Sequence, residues 1–311
     1  MTAAVDLPGP WRHQRVAANG ARFHVAVCEP EHRPPPTPGH GPRPAPLVLL
    51  LHGFPQFWWS WRHQLPALAA AGYRVAALDM RGYGGSDKTP DGYDPTTLAA
   101  DVAGVVKALG APDAVLVGHG WGGYVAWATA ALRPAQVSAL ATVAAPHPTL
   151  MFRGLRRPAG RRALAHLLRM QVPFLPERRL ADPTSGMLAE HLVAWSATSY
   201  PDSATLSTYQ EALALWPSSH CALEYHRWLA RSRLRADGRA FRDALRRPVD
   251  VPVLEVYGGR DPAVPVPRDG SLDRILTGPH TRVTIPGAGH FVPEEAPEET
   301  TAALRGWLSS L

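Results

Sequence analysis

The stretch Ala114-Val-Leu-Val-Gly-His-Gly-Trp-Gly-Gly123 is a short apolar run that breaks into glycines and opens directly onto Tyr124-Val-Ala-Trp-Ala-Thr-Ala-Ala-Leu132. The first part reads as a buried strand and the last as a helix, with a sharp turn and no loop between them. Such a unit constrains the chain to a mostly parallel sheet covered by helices, with the turn at the sheet's carboxyl edge. There the positive end of the helix favours a nucleophilic or anionic group. The central residue of the turn is Gly120, which has no side chain to attack with. The setting for nucleophilic catalysis is present and the nucleophile is missing.

The rest of the chain keeps the same rhythm. Strands are expected over Arg22–Val27, Leu47–Leu51, Arg74–Leu78, Val137–Val143, Val253–Tyr257 and Arg282–Ile285. Helices are expected over Leu65–Ala71, Thr96–Leu109 with Gly110 as its stop, and Pro293–Leu311. From Thr149 to Pro248 the rhythm changes: Arg and Leu recur at helical spacing, prolines break the segments, and no strong strand appears. The expectation is therefore an α/β core of residues 1–148 and 249–311 with an all-helical insertion at 149–248. Glu29 to Pro46 is too rich in proline to form ladder hydrogen bonds and reads as an extended loop.

Composition excludes several classes of function. At 311 residues, 45% hydrophobic and 19% charged, the chain can bury a sizeable core. The net charge of +6 reflects heavy arginine use. Its densest basic stretch, Arg153 to Arg169, is interleaved with Leu, Ala and His and reads as a solvated helix face, so no nucleic-acid partner is expected. Cys28 and Cys221 stand far apart in no metal-like or CxxC spacing and read as free thiols in a reducing compartment. No apolar run reaches the roughly 18 residues of a membrane span, and the first residues lack a leader pattern, so a cytoplasmic location is the expectation. With no phosphate-cradling motif and no His/Cys cluster, neither a metal nor another cofactor is expected. The expected partner is a small molecule, and the oligomeric state is left open.

Two further segments carry chemistry. Tyr257-Gly-Gly-Arg-Asp-Pro262 puts Asp261 just past a strand, and Gly287-Ala-Gly-His-Phe291 puts His290 in a glycine-softened loop past the last strand. Elbow, acid and histidine follow the chain order nucleophile, acid, base. An acid that accepts a bond from one imidazole nitrogen fixes the tautomer and raises the basicity of the other.

With these residues in view, the chain resembles the epoxide-hydrolase-like branch of the α/β-hydrolases over nearly all its length. The carriers are His52-Gly-Phe-Pro55 with the following Phe-Trp-Trp-Ser-Trp-Arg-His-Gln, Asp79-Met-Arg-Gly-Tyr-Gly-Gly-Ser-Asp87, the elbow, and Ala145-Pro-His-Pro148. Haloalkane dehalogenases share the elbow. The resemblance implies an α/β-hydrolase fold, a helical cap at 149–248, and an oxyanion hole from the amides of Phe54 and Trp121. It also implies departures. The family's Asp nucleophile falls on Gly120. Its two cap tyrosines fall on Arg169 and on His226, or on Tyr225 if the register shifts by one. His226 would then be a proton donor at low pH.

Two readings remain open. In one, His290 oriented by Asp261 acts as a general base on water held in the space left at Gly120, beside a pocket that includes Trp121 and the cap residues. In the other, the chain is a catalytically silent binding protein of the same fold. His119, one residue before the turn's apex, is expected to pack structurally, as are His52, Asp79 and Arg81. Phe57, Trp58, Trp59 and Trp61 are expected to anchor the first helix.

Overall fold

Eight strands make one sheet: β1 (Arg12–Ala18), β2 (Ala21–Cys28), β3 (Leu47–Leu51), β4 (Arg74–Leu78), β5 (Ala114–His119), β6 (Val137–Val143), β7 (Val253–Gly258) and β8 (His280–Ile285). They come from a computed structural model that describes residues 4–30, 45–154 and 161–311. Most of the proline-rich stretch 29–46 and part of the basic stretch 153–169 therefore lie outside the described residues. The order across the sheet is β1-β2-β4-β3-β5-β6-β7-β8. β2 pairs antiparallel with β1 and β4, and all later pairs are parallel.

Helices α1 (Gln64–Ala70), α2 (Pro95–Ala108) and α3 (Trp121–Leu132) connect the central strands. Between β6 and β7 the described chain forms α4 (Pro148–Gly154), α5 (Arg161–Arg169), α6 (Leu175–Ala181), α7 (Met187–Trp195), α8 (Ser203–Ala214), α9 (Ser218–Arg231) and α10 (Ala236–Ala244). After β8 come α11 (Val292–Glu295) and α12 (Pro297–Leu308). The single closing helix expected from the sequence is thus two, because Pro297 has no N–H to continue a helix and begins a new one.

The core lies on both faces of the sheet, and β3 shows why. Leu47, Leu49 and Leu51 pack on the face that carries residues of α2 and α3, such as Val102 and Val125. Val48 and Leu50 pack on the other, with Leu65 of α1 and Leu304 of α12. A strand buried on both sides must be apolar at every position, and each such side chain contributes roughly 1.5–3 kcal/mol. β1 was not anticipated. Its residues alternate between exposed and half-buried and carry Arg, His and Gln, so no apolar run marks it. Its hairpin signal is Asn19-Gly20, whose φ angles of 45° and 75° suit a type I′ turn.

Candidate active site

β5 ends at His119 and α3 begins at Trp121, so Gly120 alone makes the turn, at φ 52° and ψ −115°. A residue with a side chain takes this positive φ only under strain. The turn is tight because backbone packs behind it: a Cβ on Gly122 would stand 2.1 Å from the Leu51 carbonyl oxygen. Above Gly120 there is room. The atoms nearest to where its Cβ would be are Gly53 Cα and His290 Nε2, both at 3.6 Å.

His290 Nδ1 lies 2.8 Å from Asp261 Oδ2, and the Asp261 side chain is wholly buried. The other oxygen, Oδ1, accepts from the amides of Ala263 at 2.8 Å and Val264 at 2.9 Å. A carboxylate so supplied with donors accepts from the ring, so Nδ1 carries the proton and Nε2 keeps its lone pair toward the space above Gly120. The loop is tied down on each side. His290 N–H donates to the Trp195 carbonyl at 2.9 Å, joining α7 to the dyad. Glu295 accepts from the amides of Gly289 at 3.1 Å and Phe291 at 3.0 Å.

His119 is fully buried and its Nε2 donates to the His290 carbonyl at 2.9 Å. Burial pushes its pKa down to about 3, so it is a neutral support for the dyad loop. His52 is likewise internal, bonding Gly53 O through Nδ1 and receiving the Met80 amide on Nε2. Asp79 takes the amides of Trp58 and Gly85 at 2.8 Å each, while Arg81 pairs with Asp101, so both hold loops.

A cavity of about 480 Å³ opens over the turn, and Phe54, Gly120, Trp121 and His290 form its floor. Most of the wall is apolar: Ala145, Leu150, Met151, Leu167, Leu229 and Val266. The backbone N–H groups of Phe54 and Trp121 donate to no backbone carbonyl among the described residues. Trp121 is the first residue of α3, where N–H groups point out of the helix end.

The four side chains expected to meet a substrate do not stay together. Trp121 and His226 line the cavity, and the Trp121 indole donates to His226 Nε2 at 3.0 Å. Arg169 is exposed on α5 and does not line it; His166 and Leu167 of the same helix do. α5 turns Ala163, His166 and Leu167 inward and leaves Arg169, with Leu164 and Leu168, on its outer face. Tyr225 is also off the wall, with its hydroxyl donating to the Arg81 carbonyl at 2.8 Å. On α9, adjacent residues point about 100° apart, so only one of Tyr225 and His226 can face the cavity.

His226 is no acid at moderate pH. Its Nδ1 donates to Ala222 O at 3.2 Å, its Nε2 accepts from Trp121, and burial pushes its pKa down to about 4. His166 and Trp195 on the wall, and His191 beside them, escaped the sequence reading. His166 and His191 stack at 4.7 Å between ring centres, and both pack on Phe54. Their only mark in the sequence is a histidine beside apolar helix positions such as Leu167 and Leu192.

Among the described residues, metal-ligand spacing occurs in Asp6, His13 and His24, whose donor atoms lie within 4.8 Å of one another. None of the three lines the cavity. Two of their atoms are engaged elsewhere, His24 Nδ1 with Asp79 at 2.7 Å and Asp6 Oδ1 with Arg15 at 2.9 Å. No described helix is long and apolar enough to cross a membrane.

Residues 46–297 match the alpha/beta hydrolase fold family. The chain is 32% identical to epoxide hydrolase A of Mycobacterium tuberculosis, over 95% of this chain and 97% of that one. It is 30% identical to epoxide hydrolase 3 of Xenopus tropicalis, over 94% of this chain and 76% of that one. The crystal structure of epoxide hydrolase A from Mycobacterium thermoresistibile is similar at a TM-score of 0.77 and 28% identity, covering 97% and 99% of the two chains.

Proposed function

We propose, since the chain belongs to the α/β-hydrolase fold family and its relatives are epoxide-hydrolase-like, that it is a hydrolase working without a covalent nucleophile. The motif resemblance puts the family's attacking carboxylate at Gly120. His290 is the general base, Asp261 orients it, and the substrate is a small apolar electrophile such as an epoxide or activated ester. Water in the space over Gly120 gives a proton to His290 Nε2 as its oxygen attacks the substrate carbon. The C–O bond that breaks leaves an oxyanion facing the N–H groups of Phe54 and Trp121, and His290 returns the proton to it. Residues 149–248 act as a cap whose apolar inner face excludes bulk water.

The observation that carries this reading is the dyad itself. His290 Nδ1 is held at 2.8 Å by a buried carboxylate, while Nε2 looks onto open space 3.6 Å from the position a side chain at Gly120 would take. Turnover of epoxides and esters should fall at least about a hundredfold in His290→Ala, and less in Asp261→Asn. A silent binding protein is the second reading, favoured by the lack of an attacking atom at Gly120 and by the engaged nitrogens of His226. Activity that survives His290→Ala would overturn the general-base role, and a native protein that binds small apolar molecules yet turns over neither epoxides nor esters would decide for silence.

A further inference from the structure

We infer that the space above Gly120 is a binding site for the carboxyl group of an apolar monocarboxylic acid, which takes up one proton as it binds. The inference borrows from the proposed function only its assignment of the Phe54 and Trp121 amides and of His290.

Three features converge on that space. A Cβ at Gly120 would meet nothing closer than 3.6 Å, so the space has room for the first atoms of a ligand. The free N–H groups at the start of the 12-residue α3, with that of Phe54, present donors and a positive partial charge to it. The third is His290, whose side chain is 6% exposed and whose Nε2 has no partner among the described residues. Because Nδ1 is committed to Asp261, Nε2 of the neutral ring offers only a lone pair. A carboxylate oxygen placed against it repels that lone pair unless a proton lies between them. The complex is therefore an imidazolium with a carboxylate, or an imidazole with a carboxylic acid, and either one holds one proton more than the separated partners.

None of the other ionisable groups packed around His290 is placed to take that proton. Asp261 is held as an acceptor by two amides and the ring. Burial depresses His119 and His191 to about 3, and His166 well below its ordinary value. His226 is depressed to about 4. The remainder of the ligand is specified by Leu150, Met151, Leu167 and Leu229, which offer an apolar tail contact and no partner for a second charge. Among the described residues, Arg268 at the rim is the one formally charged side chain on the wall, and it is the competing anchor for a carboxylate.

Calorimetry with octanoate and octanamide tests this. Octanoate should bind at least about tenfold tighter than the amide, since a charge-assisted bond replaces a neutral one. Titrations at pH 8, where an ordinary imidazole is neutral and octanoate ionised, in buffers of different ionisation enthalpy should show close to one proton taken up per octanoate and none per octanamide. His290→Gln should abolish the uptake and the preference. Gly120→Asp, which fills the space with its own carboxylate, should weaken octanoate about tenfold or more and leave octanamide bound, showing that the cavity is intact. Equal affinity for acid and amide, uptake of no proton, or undiminished octanoate binding by Gly120→Asp would overturn the inference. So would an octanoate preference lost in Arg268→Gln and kept in Gly120→Asp, which would put the carboxylate at the rim. These outcomes are read without turnover, so a failure here leaves the general-base reading standing, and loss of the base reading leaves the binding result unchanged.

Discussion

Gly120→Asp asks whether the turn still supports the residue type its surroundings suit. Sterically the change is mild: the new Cβ meets Gly53 Cα and His290 Nε2 at 3.6 Å, ordinary contact distances. The cost is conformational, because φ 52° with ψ −115° is outside the wells a side chain prefers, and amounts to about 1–3 kcal/mol. Unfolding entropy near 2.1 cal/mol/K per residue makes 1 kcal/mol worth roughly 1.5 °C in a chain of this length, so Tm should fall about 2–5 °C. Gly122→Ala is the contrast, since its Cβ would stand 2.1 Å from a backbone oxygen and should cost more. The new carboxylate faces the amide end of α3 and should attack an aryl epoxide slowly, with His290 beside it to hydrolyse the resulting ester. Slow attack is expected because His226, with both nitrogens engaged, protonates only near pH 4. Adding His226→Tyr should speed it by supplying a donor. Intact-mass spectrometry should find an adduct on the peptide containing residue 120, and it should accumulate when His290→Ala is added. A variant that melts within the stated range yet forms no adduct, even with His290→Ala, would refute the idea that an electrophile reaches this turn.

Native Gly120 protein should form no covalent adduct at that peptide with epoxides or activated esters, and a stoichiometric adduct there would contradict the proposed chemistry. Buried His119, His147 and His226 and half-buried His191 have pKa values lowered to about 3, 4, 4 and 3, chiefly by desolvation. The unfolded chain protonates them near pH 6.5, so it binds more protons below that pH and stability falls as pH falls, by up to about 1.4 kcal/mol per pH unit for each. Melting profiles should drop steeply between about pH 6 and 5, and His191→Phe should make that slope shallower by up to one proton; a flat profile would refute the buried, neutral assignment. Arg81 meets both oxygens of Asp101 at 2.6 and 2.7 Å with both side chains buried, so Asp101→Asn leaves a buried guanidinium uncompensated. That should cost about 3–5 kcal/mol by denaturant titration, and a loss below about 1 kcal/mol would mean that water reaches the pair.

Much of the molecule is set by residues close together in the chain. The strand-glycine-helix unit at 114–132 needs only its own apolar run and the absence of Cβ atoms at Gly118 and Gly120. The continuous apolar runs of β3 and β5 announce strands buried on two faces, and the alternation of strands with helices implies the parallel order. Asp261 and His290 are readable because each sits in a glycine-bearing loop past the carboxyl end of a strand, where the sheet brings separated loops together. β1 escaped for the converse reason: an edge strand with one half-exposed face needs no apolar run, and only Asn19-Gly20 marks it.

The cavity wall is a different kind of fact. Periodicity tells which stripe of α5, α7 or α9 is apolar, but a stripe can be buried against a neighbouring helix, against the core, or around a cavity. Arg169 and His166 on α5, like Tyr225 and His226 on α9, are positions whose local sequence looks equally helical. The packing of these helices over the sheet decides between them, turning His166 and His226 toward Phe54 while Tyr225 bonds Arg81 and Arg169 meets solvent. Those contacts join residues more than a hundred positions apart, as Phe54 and His166 are, so no window of sequence contains them. The same holds for the space above Gly120: the missing side chain is visible in the sequence, and the 3.6 Å to His290 that gives the space its chemistry exists only once β5 and the loop after β8 lie side by side.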